Sequence, residues 1–388
     1  MANAFIKENI VVVGAGPLGL MAALALAKSS NRIVLIGPAA PVDGRTTAIL
    51  NEGVSFLDDL GIWDELQAQT APLRVMRLVD GTNRLIRAPE ANFDANELEL
   101  SAFGYNIKNN DLLTVLKSAV NDNPNIEWLE NLVEKCALDD EPCVTLDNGK
   151  TIEGSLIVAA DGRGSRLREA AGIETKTWQY PQTALVMNLA HTRDHNNTST
   201  EFHTETGPFT LVPLPGKQSS LVWVETPERA LELKGLSLEE LSAQVSEKSH
   251  YLLGDVTVQN KPMAYPLSGL TALECGRNKT VLIGESAHVF PPIGAQGMNL
   301  GIRDIKVLSN LLVEQQINKA EEVDNIVSDY SAKRKTDIAV RTRAVDALNR
   351  SLLTDLIPVH LGRGLGLYAL NNIPSARKFV MRQGLGAR

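Results

Sequence analysis

Ile10-Val11-Val12-Val13 leads directly into Gly14-Ala15-Gly16-Pro17-Leu18-Gly19, and Leu20 to Lys28 continues as an apolar, helix-forming run. No other stretch constrains the fold as strongly. A strand without polar alternation is buried on both faces, the pattern of a parallel sheet covered by helices. The run after the turn supplies the crossover helix that such a sheet requires. Gly14 allows the tight turn, Gly16 lets backbone approach a pyrophosphate, and Gly19 lets helix and strand pack closely. A turn that binds nothing is the plain alternative, and the strand before it and helix after it favour a dinucleotide site. One expected element is missing. The second strand, Arg32–Ile36, should end near an acid that holds a ribose, but Gly37 and Pro38 stand there. Asp43, the nearest carboxylate, lies in a loop beyond Pro41. Losing one ribose hydrogen bond, about 1 kcal/mol net, weakens binding without abolishing it. On this reading Gly37→Glu tightens it.

Two further segments repeat the strand–turn–helix order. Leu156-Ile157-Val158-Ala159-Ala160 runs into Asp161-Gly162-Arg163-Gly164-Ser165 and the basic start Arg166-Leu167-Arg168. Taken alone, this is a connection with an Asx turn. Val281-Leu282-Ile283 runs into Gly284-Glu285-Ser286-Ala287-His288, then through Pro291-Pro292-Ile293-Gly294-Ala295-Gln296-Gly297-Met298-Asn299 to a helix-like stretch from Leu300 to Asp304. Such a loop presents backbone N–H groups and a positive dipole end to an electron-rich partner.

Composition narrows the function classes. A chain of 388 residues can bury a large core. Its net charge of −8 argues against nucleic acid as a partner. No apolar run approaches the roughly 18–20 residues that span a bilayer, and no basic-then-apolar leader opens the sequence. Cys136, Cys143 and Cys275 have no metal-ligand spacing and read as reduced thiols of a cytoplasmic protein. His191, His195 and His203 lack the spacing of a zinc site and read as surface or strand residues, so no metal is expected. His288 reads as a packing or hydrogen-bonding residue. No Ser-His-Asp or Cys-His arrangement has a supporting context.

Charge is unevenly spread. Residues 338–388 carry eight Lys/Arg against two Asp/Glu, about +6, which leaves about −14 for the rest. Arg341 to Arg350 reads as an amphipathic helix. A basic end with Leu365, Tyr368 and Phe379 has two readings: a closing helix packed on the nucleotide-binding part, or a surface that docks on an anionic membrane face or a partner. Leu238 to Ser249 reads as a helix with Ser237 as N-cap and Glu240 completing a capping box, and Leu238, Leu241 and Val245 on one side.

The three motifs, in this order and spacing, resemble the flavin-dependent aromatic hydroxylases of the p-hydroxybenzoate hydroxylase fold. Within them the chain is most similar to the ubiquinone-biosynthesis hydroxylases. Asp43-Gly44-Arg45-Thr46-Thr47-Ala48-Ile49-Leu50 and Trp178-Gln179-Tyr180-Pro181-Gln182 point to that branch, and Phe103 to Asn109 and Gly207 to Pro215 support it. The resemblance covers residues 10 to about 305. It implies an α/β fold, a Rossmann-like FAD-binding domain with an interleaved mixed-sheet substrate domain. The expected division is 1–70, 105–175 and 275–345 for FAD, 71–104 and 176–274 for substrate, and 346–388 as a helical, basic C-terminal segment.

By the same resemblance Gly14, Gly16 and Gly19 approach the pyrophosphate, Arg45 lies near the phosphates, and Asp161 and Glu285 organise the pyrophosphate and ribityl regions. Gly297, Met298 and Asn299 present backbone N–H groups to the flavin pyrimidine edge. Pro291 and Pro292 line the reacting face. Arg45 has the plainer alternative of pairing with Asp43. The sequence departs from the family pattern at Gly37 and at Glu285, where an Asp is usual. The implied activity is FAD-dependent monooxygenation: hydroxylation of the aromatic ring of a polyprenylated ubiquinone precursor by O₂ through a flavin hydroperoxide, with NAD(P)H or another reductant as electron donor. A hydroxylase of a small soluble aromatic acid, or a weakly flavin-binding structural component of a biosynthetic complex, are the alternatives. A prenyl tail, dissolved in lipid, would bring the protein to the inner membrane face as a peripheral visitor.

Overall fold

The computed structural model describes residues 9–29, 32–41, 43–82, 87–139, 141–291, 296–315, 320–353, 366, 368–370 and 372–385. A six-stranded sheet runs in the order Gly276–Arg277, Thr280–Leu282, Leu156–Ala159, Asn9–Val13, Arg32–Ile36, Ile126–Leu129. All its pairings are parallel except the hairpin of Gly276–Arg277 with Thr280–Leu282. Helix Pro17–Ala27 follows the first strand. It packs on one face of the sheet with helices Asn109–Asn121, Gln296–Glu314 and Ala320–Leu353, in a core that includes Ile10, Val12, Leu156 and Val158. The other face, with Val11, Val13, Ile157 and Ala159, is covered by the small sheet Val133–Ala137, Cys143–Leu146, Thr151–Glu153. Cover on both faces is why these strands show no polar alternation.

A nine-stranded mixed sheet lies beside it, built around the 17-residue strand Thr175–His191. Here side chains alternate. Leu185, Met187, Leu221 and Trp223 form a core under helices Pro227–Gly235 and Leu238–Lys248. The opposite face carries Ala184, Val186 and Asn188, paired with Val224, Val222 and Ser220. Hydrogen bonds tie that side to the small sheet of Thr46–Leu50, Gly104–Lys108 and Ala71–Pro72 and to the loop that precedes it. Thr46 Oγ1 donates to Ser220 Oγ (2.8 Å), Asn106 Nδ2 to the Pro213 carbonyl (2.9 Å), and Asn188 Nδ2 to the Gly44 carbonyl (3.0 Å). The α/β expectation, with a second mixed sheet, is what is found.

Helix Leu238–Lys248 starts at Ser237 with the reciprocal capping box to Glu240. Leu241 and Val245 are buried, whereas Leu238 stays 39% exposed. A side chain at the first helical position leans back over the preceding turn rather than onto the sheet. The long helix Ala320–Leu353 contains the stretch expected from Arg341 to Arg350. The helix Pro374–Leu385 packs differently from the closing helix expected. Met381 and Leu385, with Leu370, sit on Ala91, Phe93 and Phe103, and Arg377 pairs with Glu97 at 2.8 Å. Its main support is therefore the 71–104 region, not the parallel sheet. Apolar surface on Phe93 and Phe103 needed cover, and the helix supplies it. One bond, Arg303 Nη2 to the Leu385 carbonyl (3.2 Å), joins its end to helix Gln296–Glu314. No described helix is long and apolar enough to cross a membrane.

Candidate functional site

The three motif strands, Thr280–Leu282, Leu156–Ala159 and Asn9–Val13, are adjacent and parallel, so their turns emerge together at the carboxyl edge of the sheet. In open α/β sheets that edge is where ligands bind. The turns touch. Gly14 has φ +111°, and a Cβ on it would lie 2.2 Å from the Ala160 carbonyl oxygen. A Cβ on Gly19 would lie 1.7 Å from the Gly14 oxygen. Leu18 lies against both Gly284 and Gly301, each so close that a Cβ there would come within 2.4 Å of its Cδ1. Ser286 Oγ donates to the Ala159 carbonyl at 2.6 Å, and Arg168 reaches the Ser286 and Arg163 carbonyls at 3.0 Å each.

Two features at this junction have no protein partner. Gly16 is the N-cap of helix Pro17–Ala27, and a Cβ on it would meet nothing within 4 Å. Its smallness serves no neighbour in the chain, which fits a phosphate approaching the helix start. Asp161 follows the second strand. Its Oδ2 accepts from the Leu167 N–H (3.4 Å), while its buried Oδ1 has no hydrogen-bond partner. Burial pushes this carboxyl above its ordinary range, against the pull of bonds from Ser165 and Leu167. A buried, unsatisfied carboxylate is costly unless something pairs with it. A dinucleotide hydroxyl would satisfy it, so the residues fit FAD.

A raised native pKa means that ionised Asp161 subtracts stability, and that the loss grows as pH rises through the native value. Asp161→Asn is therefore expected to raise the melting temperature of FAD-free protein at neutral pH. The same change removes one hydrogen bond to charge, worth about 1.5–3 kcal/mol, and should weaken FAD roughly tenfold or more. Thermal melts with and without FAD test both signs.

Gly37 corrects an expectation. Its φ is +146°, and a Cβ would lie 2.9 Å from the Ala15 nitrogen. Its N–H bonds the Leu129 carbonyl and its carbonyl accepts from Trp128 Nε1 at 2.9 Å. Glycine is demanded here by backbone, so an acid cannot simply be restored. Gly37→Glu is expected to lower both stability and FAD affinity, the reverse of the tightening expected from sequence, as a denaturation curve and an FAD titration would read.

In the third motif Glu285 is exposed on the short turn Gly284–Ser286. Gly297 is exposed in the first turn of helix Gln296–Glu314, with nothing within 4 Å of a Cβ. Met298 packs partly buried against the main core. The Asn299 side chain does more than its backbone role required: Oδ1 accepts from the Leu50 N–H (2.9 Å) and Nδ2 donates to the Ala48 carbonyl (2.8 Å), fixing strand Thr46–Leu50 to the helix start. Pro291 is buried, and Pro292 lies outside the described residues. Arg45 pairs with Asp43, with Nη2 and Nε on Oδ2 at 2.6 and 2.8 Å, and lies over the Tyr265 ring at 5.6 Å. Burial alone would lower its pKa, but Asp43 and more distant charges, Glu285 among them, raise it overall.

Sequence reading missed Asp304. It is fully buried on helix Gln296–Glu314 and accepts from the Gly284 N–H (2.9 Å), His288 Nε2 (2.8 Å) and Arg334 Nε (2.7 Å). His288 thus bears its proton on Nε2, in the hydrogen-bonding role expected of it. A signal existed: Asp304 falls on the apolar stripe with Gly301 and Leu308, where a carboxylate needs partners. His191 and His203, buried at the ends of strands Thr175–His191 and Thr198–His203, bond Ser219 and Glu201, and half-buried His195, in the loop between those strands, bonds the Leu214 carbonyl. No group of three or more His, Cys, Asp or Glu able to hold a metal occurs among the described residues.

Comparison with known proteins agrees with this geometry. The family described as "FAD binding domain" matches residues 7–345. The chain is 32% identical to a ubiquinone hydroxylase, UbiL, of Rhodospirillum rubrum, over 97% of this chain and 89% of that one. It is 29% identical to the 3-demethoxyubiquinol 3-hydroxylase of Escherichia coli, over 97% and 98%. The crystal structure of p-nitrophenol 4-monooxygenase PnpA from Pseudomonas putida superposes with a TM-score of 0.79 at 19% identity, covering 99% of each chain, and so shares the fold.

Proposed function

The chain belongs to the FAD binding domain family, and from that premise we propose that it is an FAD-dependent monooxygenase hydroxylating the aromatic ring of a polyprenylated ubiquinone precursor. The observation that carries the reading is the junction of three glycine-bearing turns around an unpartnered Asp161 oxygen. The relatives' names supply the substrate class. Bound FAD, reduced by NAD(P)H or another donor, supplies the oxygen chemistry that no side chain can. The protein's own residues bind and orient. Gly14, Gly16 and Gly19 admit the pyrophosphate, Asp161 and Glu285 hold hydroxyls, and Gly297, Met298 and Asn299 aim N–H groups at the flavin. Arg45 neutralises charge nearby, and Pro291 and Pro292 line the reacting face. The division into FAD-binding segments (1–70, 105–175, 275–345) and substrate segments (71–104, 176–274) is supported by the strands of the two large sheets, which follow it except for His288–Val289, a strand of the 275–345 segment that joins the edge of the nine-stranded sheet.

The test is a spectrum of purified protein with added FAD, followed by O₂ uptake with prenylated and unprenylated phenols. Bound flavin and stimulation by prenylated phenols are expected. Stimulation by unprenylated acids alone would remove the quinone assignment. Absence of flavin binding would leave the scaffold reading, which Gly37 and Glu285 motivate.

The same substrate suggests a lipid surface for the basic segment. Helix Pro374–Leu385 contains Arg377, Lys378 and Arg382 and no acid. Tyr368, Ile373, Phe379 and Val380 are 44–63% exposed on and beside it. An amphipathic basic face with exposed aromatics binds anionic bilayers. Wild-type protein should co-sediment with anionic vesicles and not with neutral ones, and Phe379→Asp should reduce that several-fold. Equal recovery of both proteins would remove the membrane contact.

A further inference from the structure

Asp304 is one end of a longer chain of charges. Arg334, on the long helix Ala320–Leu353, forks between two carboxylates: Nε to Asp304 Oδ1 and Nη1 to Asp337 Oδ2, each at 2.7 Å. Asp337 Oδ1 then accepts from Arg341 Nε at 3.0 Å, and Arg341 Nη1 donates to Gln296 Oε1 at 3.1 Å. The two ends meet the third motif at separate places. Asp304 grips the Gly284 N–H and His288. Arg341 grips Gln296, the first residue of helix Gln296–Glu314.

The burial is graded. The side chains of Asp304 and Arg334 are 0% and 3% exposed, and those of Asp337 and Arg341 are 30% and 19%. Two arginines balance two aspartates, so the relay is neutral overall. Burial makes it expensive to assemble. A buried ion pair replaced by well-packed apolar residues is often no less stable, so stability alone does not explain four charges here. Geometry does: a planar guanidinium that donates to two carboxylates in a fixed fork transmits orientation, which an apolar contact would not.

We propose that Arg334 and Arg341 are positioning residues, through which the long helix holds the Gly284 turn and the start of helix Gln296–Glu314 in fixed relation for the flavin. This rests on the FAD reading above. It adds that the cofactor's site is set by a helix that no glycine motif marks. The N–H groups at Gly297 and Met298 stabilise negative charge on a reduced ring only if the helix start is correctly aimed.

The test compares wild type, Arg341→Met, Arg341→Lys and Arg334→Lys by titrating FAD-free protein with FAD and measuring the reduction potential of the bound flavin. Arg341→Met leaves the buried Asp304–Arg334 pair intact. It should raise the FAD Kd about tenfold and make the potential more negative. Arg341→Lys, which keeps a cationic donor, should recover part of both. Arg334→Lys keeps the charge but loses the fork, and should shift both at least as far. If it does not fold, Arg341→Met decides. A lower melting temperature with unchanged Kd and potential would mean that the relay only stabilises the fold, and would overturn the proposal. Wild-type protein that bound no FAD would instead strike at the underlying reading.

Discussion

Gly19→Ala is expected to destabilise the protein by about 3 kcal/mol and to abolish FAD binding. The added Cβ would lie 1.7 Å from the Gly14 oxygen and 2.9 Å from its carbonyl carbon. Neither atom can yield, because Gly14 is itself held at φ +111° against Ala160 and its N–H bonds the Ile36 carbonyl at 2.7 Å. Relief requires helix Pro17–Ala27 to lift from the turn, and that helix is buried from Gly19 to Ala27. Gly16→Ala is the informative partner. Its Cβ meets nothing within 4 Å, so the fold should keep its stability while the methyl occupies the place a phosphate needs. Thermal melts of FAD-free protein and fluorescence titration with FAD separate the two. Wild-type FAD affinity in Gly16→Ala would mean that the pyrophosphate does not approach this turn.

The contrast between Gly16 and Gly19 also marks how far sequence reaches. The first motif was legible because strand burial, turn chemistry and helix start agree within about twenty residues, the condition under which local signals specify structure. The capping box at Ser237 and Glu240 was legible for the same reason. Gly37 was misread because the sequence shows a missing acid but not a backbone angle. Its positive φ is imposed by the close passage of Ala15 from another turn. The seat of helix Pro374–Leu385 was not legible because its cover, on Phe93 and Phe103, lies more than 270 residues away in the chain. Amphipathic pattern says that a face will be buried and not against what. Asp304 lay in plain view on an apolar stripe, but its partners come from the Gly284 turn, His288 and another helix. Only the fold brings those together.

That carboxylate carries the second large effect. Asp304→Asn should cost about 3–5 kcal/mol, the range for removing one partner of a buried ion pair. The amide offers one acceptor oxygen where three donors converge, and turns its NH₂ toward another of them. Arg334, 3% exposed, is left with Asp337 alone. Burial by itself would push the Asp304 carboxyl up, but His288, Arg334 and the Gly284 N–H outweigh it and hold the group below its ordinary range. A depressed native pKa gives stability that is present above the unfolded value, about 3.9, and is lost as pH falls through the native one. The gap between wild type and Asp304→Asn should therefore be widest near neutrality and close only in strong acid. Denaturation at several pH values reads that directly, and a gap that stayed constant on acidification would mean the carboxylate is not the source. Arg334→Met in the same background sharpens the point. If the pair acts as a unit, the double variant loses less than the two single losses combined, because each single variant strands a buried charge and the double variant does not.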